Sequence, residues 1–251
     1  ELPWLNIDLS LDFSIEAHPK KVDAIIHLAQ AKNYRDYPYS AIEVFRINTF
    51  SKIKLLEYAR RQGVGRFIYA STGSVYSGRK KSFQENDLKG PPKNFYALSK
   101  YQSELLVQDY SQYMKTVILR FIAVYGPGQS GMLIPNLVSK IKKSEKIQIY
   151  GRKGIRLNPI YIDDATDAIC ESLTVKRPSV LNVGGTQALS ILKMGQLIGN
   201  VIGCKAEFEF MPEEKEQFDI VGDISLMKSV LDLVPKVRFK EGISQMAKEI
   251  Y

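Results

Sequence analysis

The sequence predicts a doubly wound α/β fold, in which the strands of a parallel sheet alternate with helices along the chain. Three short apolar segments, at 24–28, 67–70 and 117–121, are typical of buried strands. Segments with apolar residues at helical intervals lie between them. Because consecutive parallel strands need a right-handed crossover, this alternation predicts one open sheet with helices packed on its faces.

The first strand and helix lie between residues 24 and 61. The run at 24–28 is compact, apolar and flanked by charge, which predicts a fully buried strand. Between 40 and 61, five apolar residues recur at helical intervals: Ile42, Phe45, Ile53, Leu56 and Ala59. Gly63 follows at the position where such a helix is expected to end, because glycine readily takes the left-handed C-cap conformation.

The second strand and helix follow directly. The strand at 67–70 leads to a predicted helix at 94–113, which begins after Pro91 and Pro92. Its apolar residues on one side are Leu98, Tyr101 and Leu105. The third predicted strand, at 117–121, comes after this helix.

Beyond Gly126 the pattern loosens, and shorter elements follow one another. The sequence predicts helices at 133–143 and 191–202, strands at 147–149, 160–162, 180–183 and 206–210, and a helical tail from Glu241. These segments predict a small lobe, made of 126–157 and of the chain from 185 onward, at the carboxyl edge of the sheet.

Composition narrows the class of ligand. The net charge of +8 suits a protein that binds phosphate groups. Its basic clusters, at 79–81 and 142–143, are short and lack interleaved aromatic residues, which favours a small diphosphate ligand over nucleic acid. Neither a membrane-spanning apolar stretch nor a signal-peptide pattern is present, so we expect a cytoplasmic protein without a membrane segment. Cys170 and Cys204 lack a second ligand at metal-binding spacing, so no metal site is predicted.

One group of side chains suggests chemistry at the carboxyl ends of the strands, where open parallel sheets bind ligands. Tyr96 and Lys100 are four residues apart on a predicted helix, which places the ammonium beside the phenol. A positive charge there favours the phenolate and lowers the pKa of Tyr96 toward neutrality, so that it can act as a general base. Thr72, after the preceding strand, could hydrogen-bond the oxygen that Tyr96 deprotonates. A packed tyrosine and a capping threonine are the plain alternatives.

Several ordered motifs resemble one known family. They are Ala-Ser-Thr-Gly-Ser-Val-Tyr at 70–76, Tyr-Ala-Leu-Ser-Lys at 96–100, Leu-Arg-Phe-Ile-Ala-Val-Tyr-Gly-Pro-Gly-Gln at 119–129, Ile-Tyr-Ile-Asp-Asp at 160–164 and Leu-Asn-Val-Gly at 181–184. Together they resemble the extended short-chain dehydrogenase/reductase family, whose members include NAD-dependent epimerases, dehydratases and reductases of nucleotide sugars. The likeness runs through nearly the whole chain.

The resemblance implies a fold and a set of site residues. It implies a Rossmann-like dinucleotide-binding domain at 1–125 and 158–184, with a substrate-binding lobe at 126–157 and 185–251. Thr72, Tyr96 and Lys100 would be catalytic, and Thr72 and Arg156 would contact the substrate. The implied cofactor-binding residues are Asp8, Leu9, Leu28, Ala29, Gln30, Asn48, Ala70, Ser71, Tyr96, Lys100 and Phe121. A cap, a turn or a packed side chain is the alternative for each.

The resemblance also implies an activity. The cofactor would be NAD, with NADP as an alternative, and the substrate a nucleotide-diphosphate sugar. An epimerase would oxidise a sugar carbon to a transient ketone and return the hydride to its other face. A 4-keto-sugar reductase and a non-catalytic dinucleotide-binding protein are the alternatives. A homodimer formed through the helices at 40–61 and 94–113 is likewise implied.

Four departures from the family pattern qualify this interpretation. No glycine precedes Gly63, although the family begins with a strand, a glycine-rich turn and a helix; we expect a longer natural protein with an N-terminal section that supplies them. Gly73-Ser74 stands where 4,6-dehydratases usually carry Asp-Glu, which disfavours dehydration. Ala123 replaces a common asparagine, and Leu157-Asn158-Pro159 replaces a common Arg-Asp-aromatic sequence, so the substrate assignment is weaker than the reaction class.

Overall fold

A computed structural model describes residues 5–15, 19–78, 81–88, 90–213 and 218–250. In these ranges the strands are β1 Ala24–His27, β2 Arg66–Thr72, β3 Lys115–Phe121, β4 Val124–Tyr125, β5 Ile147–Tyr150, β6 Arg156–Leu157, β7 Ile160–Tyr161, β8 Ser179–Val183, β9 Leu189–Ser190 and β10 Phe208–Met211. The helices are α1 Ala41–Phe45, α2 Ser51–Gln62, α3 Phe95–Asp109, α4 Leu133–Lys142, α5 Ile162–Ser172, α6 Ile191–Ile202, α7 Ser225–Leu231 and α8 Phe239–Ile250. The α/β class is as predicted.

The main sheet has the strand order β1-β2-β3-β8. β1 pairs with β2 in parallel, with Ala24 opposite Arg66, as the crossover argument requires. The prediction that the first strand is fully buried is wrong, because Ile26 is 41% exposed and Leu28, just beyond the strand, is 54% exposed. Within the described chain β1 lies at the edge of the sheet and has a paired neighbour on one side only.

The helix predicted at 40–61 is confirmed, but it is not a uniform α-helix. Between α1 and α2 the segment Arg46–Phe50 forms a turn of π-helix, and this turn contains the buried Asn48. An inserted π turn shifts the direction of the side chains within a helix and is often found at functional sites. The helix ends as predicted at Gly63, whose φ of 67° is left-handed.

The helix α3 begins at a side-chain cap, since the Asn94 side chain accepts a hydrogen bond from the backbone N–H of Ala97 at 2.8 Å. Leu105, one of the apolar residues that share a side of this helix, is 47% exposed, whereas the most deeply buried side chains are largely polar: Ala97, Ser99, Lys100, Ser103, Glu104 and Val107. These polar groups are buried because they bind one another and their neighbours, as the site geometry shows.

The chain divides into two compact units, made of 1–75, 88–120 and 169–181, and of 76–87, 121–168 and 182–251. The first unit has an apolar core around Leu56, Phe67, Tyr69 and Ile118. In the second unit, Tyr125, Leu137, Ile149 and Met194 belong to another core. The predicted assignment of one part to the dinucleotide and the other to the substrate stays a prediction.

Two helices of the second half were not predicted. Ile162 opens α5 instead of continuing the strand expected at 160–162, and α7 forms at Ser225–Leu231. The short strands β4, β6 and β9 were not predicted either. The other strands and helices lie within a few residues of their predicted positions, with β10 displaced from 206–210 to Phe208–Met211. Among the described residues, every helix is too short or too polar to cross a membrane.

Candidate active site

Tyr96 and Thr72 meet at the carboxyl end of β2. Thr72 is near enough to the phenol to lower the pKa of Tyr96, and the Tyr96 hydroxyl donates to Oε1 of Gln30 at 3.0 Å. Thr72 Oγ1 accepts the backbone N–H of Ser74 at 3.1 Å. That Thr72 hydrogen-bonds a substrate oxygen stays a prediction.

The loop after β1 covers Tyr96. The ring of Tyr34 packs on the Tyr96 ring with centroids 4.4 Å apart, and Tyr37 stacks on Phe95 at 4.8 Å. The contact between Tyr34 and Tyr96 was not predicted from the sequence. The signal that could have found it is the density of tyrosines at 34, 37 and 39, directly after a strand whose carboxyl end was expected to bind a ligand.

Lys100 is fully buried one helical turn beyond Tyr96. Its Nζ donates to the backbone carbonyl of Ala70 at 2.5 Å and lies 4.6 Å from the ring centre of Tyr69. Burial lowers the pKa of Lys100 to about 7, although the nearby carboxylate of Glu104 acts in the opposite direction. Near neutral pH, a small change in pH therefore alters the protonated fraction of Lys100.

The expected effect of Lys100 on Tyr96 is not found. Burial raises the pKa of Tyr96 to about 12, and the hydrogen bond from Thr72 opposes this rise. The physical reason is that the ammonium of Lys100 is directed at the Ala70 carbonyl, while the desolvation of the phenol favours its neutral form. The prediction that Tyr96 is shifted toward neutrality is thus wrong for the protein as the structure describes it.

A buried ion pair supports α3 and the end of β2. Arg120 Nη2 lies 2.6 Å from Glu104 Oε2, and both side chains are almost completely excluded from solvent. The hydroxyl of Ser71 donates to the same carboxylate. A buried carboxylate needs such a full set of donors to offset its desolvation, so these three groups hold α3, β2 and β3 together.

Asn48 connects the loop after β1 to α3. Its Oδ1 accepts the backbone N–H of Ala31 at 2.9 Å, and its Nδ2 donates to Ser99 Oγ at 3.0 Å. The hydroxyl of Ser103 donates to the backbone carbonyl of Asn48. Asn48 lies in the π turn and is fully buried, so it holds in place the loop that carries Gln30.

A second buried amine lies close to Lys100. Lys52 is fully buried, with its Nζ 3.2 Å from His27 Nδ1, 3.3 Å from Nε2 and 4.3 Å from the ring centre of Tyr69. Burial lowers the pKa of both Lys52 and His27 well below their ordinary values. This buried pair could not be predicted from the sequence, because a lysine within a helix is ordinarily exposed.

The remaining predicted residues have local partners. Asp8 is exposed, and its carboxylate accepts the backbone N–H of Ser10 at 2.8 Å, which lowers the pKa of Asp8. Leu9 is half-buried, Leu28 and Ala29 are exposed, and Phe121 ends β3 half-buried. Arg156 is not free, because its Nε pairs with Asp219 at 2.8 Å. The contacts of these residues with a cofactor or substrate stay predictions.

Comparison with known proteins identifies the family. The sequence model of the NAD dependent epimerase/dehydratase family matches residues 2–184 of this chain. The chain belongs to this family. UDP-glucuronate 4-epimerase of Thermodesulfobacterium geofontis is 28% identical over 232 residues, which cover 89% of this chain and 71% of that protein. The dTDP-D-glucose 4,6-dehydratase of Mus musculus is 32% identical over 242 residues, which cover 90% of this chain and 67% of that protein.

The fold of this chain agrees with that of a solved epimerase structure. UDP-glucuronic acid 4-epimerase from Bacillus cereus, in complex with UDP-glucuronic acid and NAD, has a TM-score of 0.81 at 25% identity, covering 95% of this chain and 81% of that one. The predicted Rossmann-like fold and the predicted enzyme family are confirmed. The protein is an NAD-dependent enzyme of the epimerase/dehydratase family, and its relatives include both epimerases and dehydratases.

Proposed function

We propose that this protein epimerises a nucleotide-diphosphate sugar through a transient keto-sugar, with NAD as the hydride carrier and NADP as the alternative. The proximity of Thr72 to Tyr96, with Lys100 one helical turn away, is the observation that carries the proposal. A phenol and a hydroxyl at the carboxyl end of a strand are placed to exchange a proton with a sugar hydroxyl.

Thr72, Tyr96 and Lys100 have different roles toward the substrate in this proposal. Thr72 hydrogen-bonds the sugar hydroxyl, and Tyr96 removes its proton as the carbon is oxidised. When bound, NAD supplies the hydride acceptor and, in its oxidised form, a positive charge. Tyr96 returns the proton when the ketone is reduced on its other face, so the net reaction consumes no reductant. Lys100, when protonated, favours the phenolate form of Tyr96.

The described residues fit the nicotinamide end of such a cofactor. Leu28 presents an exposed apolar side chain at the carboxyl end of β1, and Ala29 and Gln30 follow it. We propose that these residues and Asn48 line this end, with Asp8 and Leu9 at the adenine. The 62 residues before Gly63 contain no glycine, so a glycine-rich turn for the pyrophosphate is not found there. Arg156 is proposed to contact the substrate diphosphate in competition with Asp219.

Dehydration is the weaker candidate, although the Mus musculus relative is a dehydratase. The residues after Thr72, Gly73–Val75, form a short 3₁₀ turn without a carboxylate. Eliminating water requires a further acid and base, which Gly73 and Ser74 cannot supply. Reduction of a 4-keto-sugar stays the alternative, because it needs only the Tyr96 proton and an external hydride.

A product assay separates these activities. The full-length protein is incubated with UDP-glucose, UDP-galactose or UDP-glucuronate, with NAD and without NADH, and the sugar nucleotides are separated. Interconversion of 4-epimers without reduced cofactor supports the proposal. Turnover of a keto-sugar that requires stoichiometric NADH supports the reductase, and loss of water supports the dehydratase; either result contradicts the epimerase.

A homodimer is proposed as well. Ile42, Phe45 and Leu105 are exposed on α1 and α3, with Ile42 71% exposed, so the helices named by the family resemblance present apolar side chains that a partner helix could cover. Sedimentation at low micromolar concentration should give twice the chain mass. A monomer at that concentration contradicts the proposal.

A further inference from the structure

We propose that Gln30 is a positioning residue for Tyr96: its side-chain carbonyl holds the phenol in its protonated form until the reaction requires the base. The inference rests on the proposed function, because it assumes that Tyr96 exchanges a proton with the sugar. It assigns to Gln30 a role beyond forming the turn beneath a cofactor.

The hydrogen bond between Tyr96 and Gln30 has a defined donor and acceptor. The Tyr96 hydroxyl donates to Oε1 of Gln30 at 3.0 Å. In this orientation the carbonyl oxygen only accepts, so it stabilises the neutral phenol, and the amide would have to turn before its Nε2 could serve the phenolate. The single proton of Tyr96 is engaged with Gln30, so Tyr96 can become a base only after this hydrogen bond breaks.

Gln30 is held in position by its neighbour in the chain. The backbone N–H of Ala31 donates to Oδ1 of Asn48, which is fully buried and bonded to Ser99 on α3. The backbone beside Gln30 is therefore attached to the helix that carries Tyr96. The side chain of Gln30 itself is exposed, so it can leave Tyr96 without disturbing the core.

Other groups around Tyr96 also affect its titration. Tyr34 packs on its ring, and Arg35 follows in the same loop; Tyr69 on β2 and Lys100 on α3 lie on the side of the sheet. Burial raises the pKa of Tyr96, Tyr34 adds to the rise and Arg35 opposes it. Gln30 is neutral, so replacing it with another neutral residue tests the hydrogen bond without changing the charge of the site.

The test is a titration of the Tyr96 phenol. The protein is labelled with ¹³C at the tyrosine ζ carbon, the Tyr96 resonance is assigned by its loss in Tyr96→Phe, and its shift is followed from neutral pH to the alkaline limit of the folded state. Gln30→Met keeps the length of the side chain without a carbonyl acceptor, and its titration should begin about one pH unit lower than in the wild type. Gln30→Glu retains an acceptor and adds a negative charge, so its titration should begin later.

Opposite shifts in the two variants are the expected result. Unchanged onsets, or shifts in the same direction, overturn the inference. Leu28→Met is the matched control in the same loop and should leave the Tyr96 titration in place. A general packing effect would not reverse its sign between methionine and glutamate.

A second readout separates this inference from the proposed function. The rising limb of kcat/KM against pH reports the base of the free enzyme, so Gln30→Met should move that limb to lower pH by the same amount. The titration needs no turnover. If the protein turns over no sugar nucleotide but the titration shifts as expected, the function fails and the contact stands; if turnover is present and both readouts stay in place, the inference alone fails.

Discussion

The Nζ of Lys100 lies 2.5 Å from the backbone carbonyl of Ala70 and not on the phenol of Tyr96. The pKa of Tyr96 is instead set by burial, which raises it, and by Thr72, Tyr34 and Arg35. The pKa of Lys100, lowered to about 7, makes the charge of Lys100 sensitive to conditions near neutrality.

Replacing Lys100 with Met should lower kcat/KM by roughly 10²-fold, because the proposed mechanism needs a protonated Lys100 to favour the Tyr96 phenolate during turnover. Steady-state kinetics with the preferred sugar nucleotide measures the effect. Circular dichroism and the melting temperature of the variant serve as controls for folding. Activity within a factor of two of the wild type would show that Lys100 has no electrostatic role.

Replacing Lys52 with Met should stabilise the protein. The pKa of Lys52 is lowered by burial, so the unfolded chain binds this proton more readily than the folded one, and stability rises with pH and is lost as the pH falls below about 10.4. Lys52→Met should raise the free energy of unfolding at neutral pH by at least about 1 kcal/mol and flatten its dependence on pH.

Urea unfolding at several pH values between about 7 and 9, above the ordinary pKa of His27, tests this prediction. Lys115→Met, at an exposed lysine, should change the free energy of unfolding by no more than about 0.5 kcal/mol. A destabilised Lys52→Met variant with the wild-type pH dependence would mean that the amine is charged and paired.

Replacing Glu104 with Gln should destabilise the first unit strongly. The guanidinium of Arg120 would stay buried without a carboxylate, at a cost of about 3–5 kcal/mol in the free energy of unfolding. Glu57→Gln is the matched control, because Glu57 pairs with Arg60 and Arg61 on the surface of α2, and its loss should barely move the urea midpoint. Equal effects of the two substitutions would contradict the account of the buried pair.

Replacing Ala123 with Gly should stabilise the chain. Ala123 has a φ of +46°, a left-handed conformation that costs a residue with a Cβ roughly 1 kcal/mol relative to glycine. Ala97→Gly, in the first turn of α3, is the opposite control and should destabilise by about 1 kcal/mol. Thermal unfolding of both variants measures the difference in stability. A destabilised Ala123→Gly protein would contradict the inference that the backbone at Ala123 is strained.

The sequence predicted the strands and long helices of the first unit well, because their apolar runs and spacings are local. It also predicted the contact between Tyr96 and Thr72, since both follow from the order of strand and helix. It could not identify the buried side of α3, where Ser99 and Glu104 find partners far along the chain. Hydropathy assigns such residues to the surface, and only the fold supplies their partners.

The charge contacts and pKa shifts of the site were the features that the sequence predicted least well. The four-residue spacing of Tyr96 and Lys100 fixes their proximity but not the direction of the ammonium, which depends on the Ala70 carbonyl. Nor does it reveal that the loop after β1 brings Gln30 to the phenol. The pKa of Tyr96 is accordingly raised where the spacing alone predicted the reverse.

Turnover by the full-length Tyr96→Phe variant tests the central claim most directly, because the substitution removes only the phenolic oxygen. We predict that kcat falls by at least roughly 10²-fold while NAD binding is retained. Tyr101→Phe, on the next turn of α3, should keep its activity. Undiminished turnover by Tyr96→Phe would contradict the role of Tyr96 in proton transfer.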